Sequence, residues 1–166
     1  MNTIVKAGIA LGVLVEIWTY VMGFTGWYKD PKLASLFWVV VAIEIAVLLW
    51  ALKRTAAEGR GYGGQIGAGT LVALIGGVFI VAGSLVFTTV VFPHYFQDVA
   101  ALQETTLRAA GKSEAEVQQV MAMVAKTQTP AMQAFFGFCG TLVTGIIVSA
   151  IIGAFFRGKP SPPAAA

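Results

Sequence analysis

Two glutamates, Glu16 and Glu44, lie near the centres of two long apolar stretches that follow each other in the chain. A charged carboxylate at the centre of a bilayer costs about 2.5–3.5 kcal/mol on insertion scales. That cost favours a side chain that is turned away from lipid or is protonated. Two carboxyl groups in contact would share one proton, because nearby like charges are disfavoured. Such a pair could bind a proton or a cation within a membrane.

The two glutamates are expected at similar depth, because each residue rises about 1.5 Å along a helix and the two stretches would be antiparallel neighbours. Gly8, Gly12, Glu16 and Tyr20 recur every four residues on one face of the first stretch. Small residues on such a face let another helix approach closely. The spacing therefore predicts that Glu16 faces a neighbouring helix, and it adds Tyr20 to the possible proton or ion site.

Three interpretations of these carboxyl groups remain open. Each could be a neutral glutamic acid that donates a hydrogen bond to a backbone carbonyl or to a threonine or tyrosine hydroxyl. The pair could take part in the transport of protons or ions. Each could instead contact a polar group on a partner subunit, because intramembrane ionisable groups usually have a partner.

The composition indicates a membrane protein. Of the 166 residues, 57% are hydrophobic and only 11% are charged, whereas soluble domains carry about 25% charged residues. A bilayer core takes a helix of about 20 apolar residues, and four segments qualify: 4–24, 33–52, 68–92 and 132–156. We predict an all-α bundle of four transmembrane helices that forms one domain over residues 1–159, with the lipid bilayer as its surroundings.

The connections between these helices differ in kind. Residues 27–32 predict a tight hairpin, and residues 53–67 a basic, glycine-rich loop. The polar segment 94–129 predicts an external helical hairpin, because Gly111 is a typical helix stop and Ser113 to Glu116 is a capping box. We expect this hairpin to be extracytoplasmic and the tail, residues 160–166, to be disordered.

The orientation is predicted from lysine and arginine. One side would hold Lys6, Lys53, Arg54, Arg60, Arg157 and Lys159, and the other Lys29, Lys32, Arg108, Lys112 and Lys126. The first set lies close to helix ends, whereas acidic residues dilute the second. Both termini are therefore expected in the cytoplasm. The net charge of +3 comes from basic residues near helix ends. It therefore bears on the orientation of the helices, and no nucleic-acid partner is expected.

Small residues form two further ridges with a period of four. The last helix carries Gly137, Thr141, Gly145, Ser149 and Gly153, and the third carries Gly69, Ala73 and Gly77. Such ridges permit close helix contact. They could pack within one chain, mediate a homo-oligomer or dock onto another membrane protein.

No residue set predicts catalysis, a metal site or a cofactor. His94 is the only histidine, and no second histidine or cysteine accompanies it to complete a metal site. Ser84, Ser149 and Cys139 fall in apolar stretches without a histidine at matching depth. We therefore do not expect an enzyme.

Several short motifs occur in an order that carries a family resemblance. They are Lys6-Ala7-Gly8, Gly64-Gln65-Ile66-Gly67, Phe92-Pro93-His94-Tyr95-Phe96, Gly111-Lys112-Ser113-Glu114-Ala115-Glu116, Pro130, Gly145-Ile146-Ile147-Val148-Ser149 and Arg157. With them the chain resembles an uncharacterised bacterial membrane-protein family, domain of unknown function 4199. The resemblance implies a four-helix protein of the bacterial inner membrane, and it implies no activity or catalytic residue.

Two functions are therefore expected in order. The first is a non-catalytic membrane protein that acts through helix contacts, as an accessory or scaffolding subunit or as a homo-oligomer. Its partners would be the bilayer and another membrane protein or a second copy. The alternative is a small proton- or cation-linked carrier that uses Glu16 and Glu44.

Overall fold

A computed structural model describes residues 2–156, and this part of the chain is helical without strands. We label the helices α1 (Thr3–Thr25), α2 (Val39–Ala57), α3 (Tyr62–Val86), α4 (Tyr95–Ala109), α5 (Glu114–Thr127) and α6 (Pro130–Phe155). Two 3-10 segments, Trp27–Lys29 and Ala34–Trp38, connect α1 to α2, and a π turn, Phe87–Val91, ends α3. Arg157, Lys159 and the tail predicted to be disordered lie outside the described residues.

Four helical stretches are long and apolar enough to cross a membrane. They are Thr3–Thr25, Ala34–Ala57, Tyr62–Val91 and Pro130–Phe155. These four stretches confirm the predicted number of apolar helices, and they are consistent with a multi-pass membrane protein. Their ends follow local chemistry: the Asn2 side chain accepts from the Ile4 amide, and Gly26 ends α1 with a φ of 70°, a conformation that favours glycine.

The connection between α2 and α3 is shorter than predicted. The sequence indicated a loop over residues 53–67, but α2 continues to Ala57 and α3 begins at Tyr62. Gly59 turns the chain with a φ of 85°. The helices extend because the Thr55 and Gln65 side chains are fully buried against each other, so most of the glycines in this stretch belong to the first turns of α3.

Helix α3 packs between α1 and α6. Gly8 and Gly12 of α1 lie against Ile75 and Phe79 of α3, respectively, and the rising numbers on both helices show that α1 and α3 run parallel. Helix α6 runs antiparallel to α3, because Gly69 lies against Ser149 whereas Gly77 lies against Phe138. Within an 18-residue stretch of each span, 39% of residues are buried in the third span and 11% in the fourth. Helix α6 therefore leaves most of its surface on the outside.

The two small-residue ridges of α3 and α6 face each other along part of their length. A Cβ atom added to Gly69 would lie 2.6 Å from the Ser149 Cβ, and one added to Gly145 would lie 2.5 Å from the Ala73 Cβ. Gly153 faces Gln65 more loosely, at 3.1 Å. The ridge is not equally close throughout: at Gly137 the nearest atom is 3.7 Å away, and Thr141 is half-buried.

Helices α4 and α5 form a hairpin outside the four apolar spans. The predicted capping box is present, because Ser113 accepts from the Glu116 amide and the Glu116 carboxylate accepts from the Ser113 amide. Gly111, with a φ of 75°, makes the turn between the helices. Val117 and Val124 bury one face of α5. The hairpin is held to the bundle at Asp98, which accepts from the Tyr28 hydroxyl and pairs with Lys29.

Candidate functional site

Glu16 lies in a groove between α1 and α3. Its half-buried carboxyl group rests against Gly83. The groove has a volume of about 460 Å³, and its walls include Gly12, Glu16, Tyr20, Phe79, Ala82 and Gly83. The Oε2 atom of Glu16 is buried without a hydrogen-bond partner in the described part of the chain. The carboxyl group is thus one of few polar groups in an otherwise apolar surface groove.

The groove opens because the side chains on one face of α1 change in size. At Gly12 the helices are close, since an added Cβ would lie 3.0 Å from the Gly76 carbonyl oxygen. One turn further, Glu16 is accommodated only because Gly83 has no side chain. Another turn on, the Tyr20 ring meets the Phe87 ring edge to face at 5.3 Å. The large residues hold the helices apart, and the face predicted from the spacing is the face that meets α3.

Glu44 occupies a different environment inside the bundle. Its side chain is only 4% exposed, and its Oε1 atom lies 3.3 Å from the position of a Cβ on Gly145. One helical turn along α6, the Ser149 hydroxyl is fully buried. Neither Glu44 Oε1 nor Ser149 Oγ has a hydrogen-bond partner within residues 2–156. Two orphaned polar atoms therefore lie in the sealed contact between α2, α3 and α6.

The two glutamates do not form the proton-sharing pair that the sequence left possible. Glu16 faces Gly83 of α3, whereas Glu44 faces Gly145 of α6. No hydrogen bond joins the two carboxyl groups in the described structure. The reason is the packing of α1 against α2, where Leu11 and Leu48 belong to one hydrophobic cluster. The apolar faces meet, and each glutamate turns to a different third helix.

A buried amide that the sequence analysis did not single out ties three helices together. Gln65 is fully buried. It accepts from the Thr55 hydroxyl at 2.6 Å, and its Nε2 donates to the carbonyl oxygens of Leu52 and Phe156 at 3.1 and 3.0 Å. A buried amide costs free energy unless it is hydrogen-bonded, and these bonds remove that cost. The sequence feature that could have pointed to Gln65 is its position in the motif Gly64-Gln65-Ile66-Gly67.

Within residues 2–156, no three histidine, cysteine, aspartate or glutamate side chains lie together so that they could hold a metal ion. His94 is exposed, and its Nδ1 lies 3.1 Å from the Gln97 Oε1. Cys139 is a half-buried free cysteine. Glu16, Glu44 and Gln65 are ionisable or amide side chains within the apolar spans, and each is at least half-buried.

The four apolar spans are long and apolar enough to cross a membrane, which is consistent with a multi-pass membrane protein. A family model described as Protein of unknown function (DUF4199) matches residues 6–158. The chain therefore belongs to this family, as its motifs indicated, and the match includes all four spans and the α4–α5 hairpin. No curated protein and no solved structure matches the chain.

Proposed function

We propose that this protein is a non-catalytic membrane protein that acts by contact, as an accessory subunit that docks a transmembrane helix of another protein into the Glu16 groove. One observation carries the proposal: a half-buried carboxyl group lies at mid-span, beside small residues, with an oxygen that has no hydrogen-bond partner. Intramembrane ionisable groups normally face a protein partner or an aqueous cavity, and the groove walls are almost entirely apolar.

The walls of the groove suit a helix better than a soluble ligand. Helix association in lipid depends on close van der Waals contact and on hydrogen bonds, since lipid removes the hydrophobic driving force. Ala82 and Gly83 offer the close contact, and the Glu16 carboxyl group offers the hydrogen bond. A partner helix with an amide, hydroxyl or cationic side chain at the same depth would make both the close contact and the hydrogen bond to Glu16. In the other form of this proposal, the helix in the groove belongs to a second copy of this chain.

The charges support a location in the bacterial inner membrane with both termini in the cytoplasm. At the end of the bundle that carries the N-terminus, Lys53 and Arg54 stack over the aromatic rings of Phe156 and Trp50. At the hairpin end, Lys29 and Lys112 are paired with Asp98 and Glu116. The positive-inside rule counts lysines and arginines that lie close to span ends, and Lys6, Lys53 and Arg54 lie close to span ends at the terminal end. These residues support a cytoplasmic location of that end.

The experiment that tests docking is purification of the tagged full-length chain from its native membrane in mild detergent, with mass spectrometry of the proteins that accompany it. Two variants attack the groove: Glu16→Leu removes the carboxyl group, and Ala82→Phe fills the space. Two matched controls leave it intact: Glu44→Leu removes the other intramembrane carboxyl group, and Ala46→Phe enlarges an exposed alanine of α2. We expect the wild type and both controls to retain a stoichiometric companion that both groove variants lose.

A chain that arrives alone and monomeric from its native membrane would contradict docking. Equal recovery of the companion with the groove variants would place its binding surface elsewhere, and α6 is the next surface to test. A self-associated wild type that becomes monomeric in both groove variants would identify a second copy as the occupant.

A carrier function is the second candidate, and the orphaned atoms of Glu44 and Ser149 favour it. A buried polar group without a partner costs about 1–3 kcal/mol, and a bound proton or small cation would reduce that cost. The test is proton or cation flux in proteoliposomes. The carrier reading predicts flux that the double variant Glu16→Gln, Glu44→Gln abolishes while the protein remains folded. Unchanged flux in the double variant would remove this candidate.

A further inference from the structure

A second cavity, of about 300 Å³, lies at the hairpin end of the bundle. Its walls include Met22, Ala34, Trp38, Phe87, Val99 and Leu102. These residues come from the end of α1, the 3-10 segment Ala34–Trp38, the π turn and the first turns of α4. The cavity is separate from the Glu16 groove, and the docking proposal does not use it.

The depth of this cavity follows from the elements that form it. The first and third apolar spans end beside it, and the second begins there. Helix α4 lies outside the spans and covers the cavity with Val99 and Leu102. A site at this level borders both the hydrocarbon and the headgroups, so its occupant has an apolar part that enters from lipid.

The rim of the cavity is exposed on the outside of the bundle. Phe37 and Trp38 contribute to the walls, yet they are 49% and 71% exposed. Tryptophan is typical of the membrane–water interface, where its ring is amphipathic. Because the same two side chains border the cavity and the outer surface, a chain that lies along the surface at this position meets the cavity opening.

A cation lies at the same level. Lys32 is exposed and stands two residues before Ala34 in the chain. In the described part of the chain, no ion pair engages Lys32, whereas its neighbour Lys29 is bound to Asp98 at 2.8 Å. A lysine ammonium and an anionic lipid headgroup attract each other through their opposite charges. Lys32 is thus close in the chain to Ala34 of the cavity wall, and the wall is mainly aromatic and aliphatic, with Thr19 and Gln133 as polar members.

We propose that this cavity binds one acyl chain of an anionic phospholipid, with the headgroup beside Lys32. A volume of about 300 Å³ is at the lower limit for ligand pockets, so it suits a chain segment and not a whole lipid. The aromatic and aliphatic walls bury that segment. Helix α4, held by Tyr28 and Asp98 at 2.8 Å, closes the cavity from the aqueous side.

The test uses the full chain in nanodiscs that contain phosphatidylglycerol with a photoreactive diazirine in its acyl chain, compared with the same probe built on phosphatidylcholine. Cross-linked peptides are located by mass spectrometry. We expect adducts on residues 19–38 and 87–102, in excess over the exposed α6 surface at Ile147 and Ile151, and stronger with the anionic probe. Ala34→Phe fills the cavity and should lose these adducts, whereas Ala131→Phe, at the exposed start of α6, should keep them.

Lys32→Gln separates the two parts of the proposal and leaves the cavity walls unchanged. It should bring the anionic probe down to the level of the phosphatidylcholine probe while Ala34-dependent adducts remain. Adducts spread evenly over all lipid-facing peptides, or adducts indifferent to Ala34→Phe, would overturn the cavity as a chain site. Equal labelling by the two probes in the wild type would overturn the assignment to an anionic lipid. Melting temperature and elution volume of each variant show whether it is folded.

Discussion

Helix α3 contacts α6 on one side and α1 on the other, and the two contacts differ in how deeply a glutamate side chain is buried. On the α6 side, glycine lies against serine at Gly69 and Ser149, and Glu44 is sealed within the contact. On the α1 side, the helices are equally close at Gly8 and Gly12 but open at Glu16. Small residues thus allow close helix contact on both sides of α3, but the α6 side is closed and the α1 side contains an open groove. In the docking proposal, the α6 side stabilises the fold and the α1 side receives the partner helix.

The largest effect is expected where the α3–α6 contact is closest. Gly69→Leu places a branched side chain where an added Cβ already lies 2.6 Å from the Ser149 Cβ. Overpacking of a tight contact costs about 1–3 kcal/mol or more, so we expect a lower melting temperature in detergent or failure to fold. Gly140→Leu is the matched control, because Gly140 is a mid-α6 glycine with open space around it. Equal melting of the two variants would show that the ridge is not closely packed.

The next largest effect is expected at the amide that joins α2, α3 and α6. Gln65→Leu removes the hydrogen bonds to Thr55, Leu52 and Phe156. Leaving a buried donor or acceptor unsatisfied costs about 1–3 kcal/mol, and thermal unfolding followed by size-exclusion chromatography would measure it. Gln118→Leu, at an exposed glutamine of α5, should melt as the wild type does. A Gln65→Leu variant as stable as the wild type would mean that the amide contributes no net stability.

A smaller effect on stability, of opposite sign, is expected at the groove. Glu16→Leu removes a carboxyl group that has an unpartnered oxygen and whose cost of insertion is about 2.5–3.5 kcal/mol when charged. The purified variant should therefore melt at the wild-type temperature or above it, while it loses its companion. A strong loss of stability in the purified chain would make Glu16 a structural residue and weaken the contrast between the two sides of α3.

The smallest effect is a loosening of the hairpin in acid. The Lys29 ammonium, and then the Tyr28 hydroxyl, lower the pKa of Asp98 below its ordinary value of 3.8. A lowered folded-state pKa means that the ionised carboxylate stabilises the docked hairpin above pH 3.8 and that this contribution is lost as the pH falls through the lowered pKa. The protection factors of the α4 amides, which correct the exchange rates for their intrinsic pH dependence, should therefore fall in acid.

Asp98→Asn should show this lower protection of α4 already at neutral pH, and the protection should no longer respond to acid. Glu116 is the control, because it is an acidic residue of the hairpin that does not contact the bundle through Tyr28 or Lys29. The Lys112 ammonium, followed by the Ser113 backbone amide, lowers the pKa of Glu116 to about 2, and Glu116→Gln should affect α5 more than α4. Protection factors in α4 that are independent of pH in the wild type would contradict a role for Asp98 in docking the hairpin.

The sequence predicted the elements well and their mutual contacts less well. Runs of apolar residues located the four spans, and the capping box at Ser113 located the start of α5, because both signals are local in the chain. The spacing of Gly8, Gly12 and Glu16 also showed which face of α1 meets another helix. It did not show which helix lies opposite, and Glu16 was therefore paired with Glu44 when its neighbour is Gly83.

The turn between α2 and α3 was missed for a related reason. Gly61, Gly63, Gly64 and Gly67 predict a loop when their helix propensity is considered alone. The buried contact of Thr55 with Gln65 outweighs that propensity, and it depends on two helices that meet only in the folded chain. Composition and periodicity do not show that Gln65 stabilises the fold. Its contribution comes from hydrogen bonds to residues that are distant in the sequence.

The most direct test of the contrast between the two sides of α3 is site-specific photocrosslinking in the native membrane. Ala82, in the groove wall, and Ala46, on an exposed face of α2, are each replaced by photoreactive benzoylphenylalanine. Docking predicts a discrete protein adduct from position 82 that is absent from position 46 and lost when Glu16→Leu is added. If position 82 gives only lipid adducts, or the same protein adducts as position 46, the groove is not a docking site and the account is wrong.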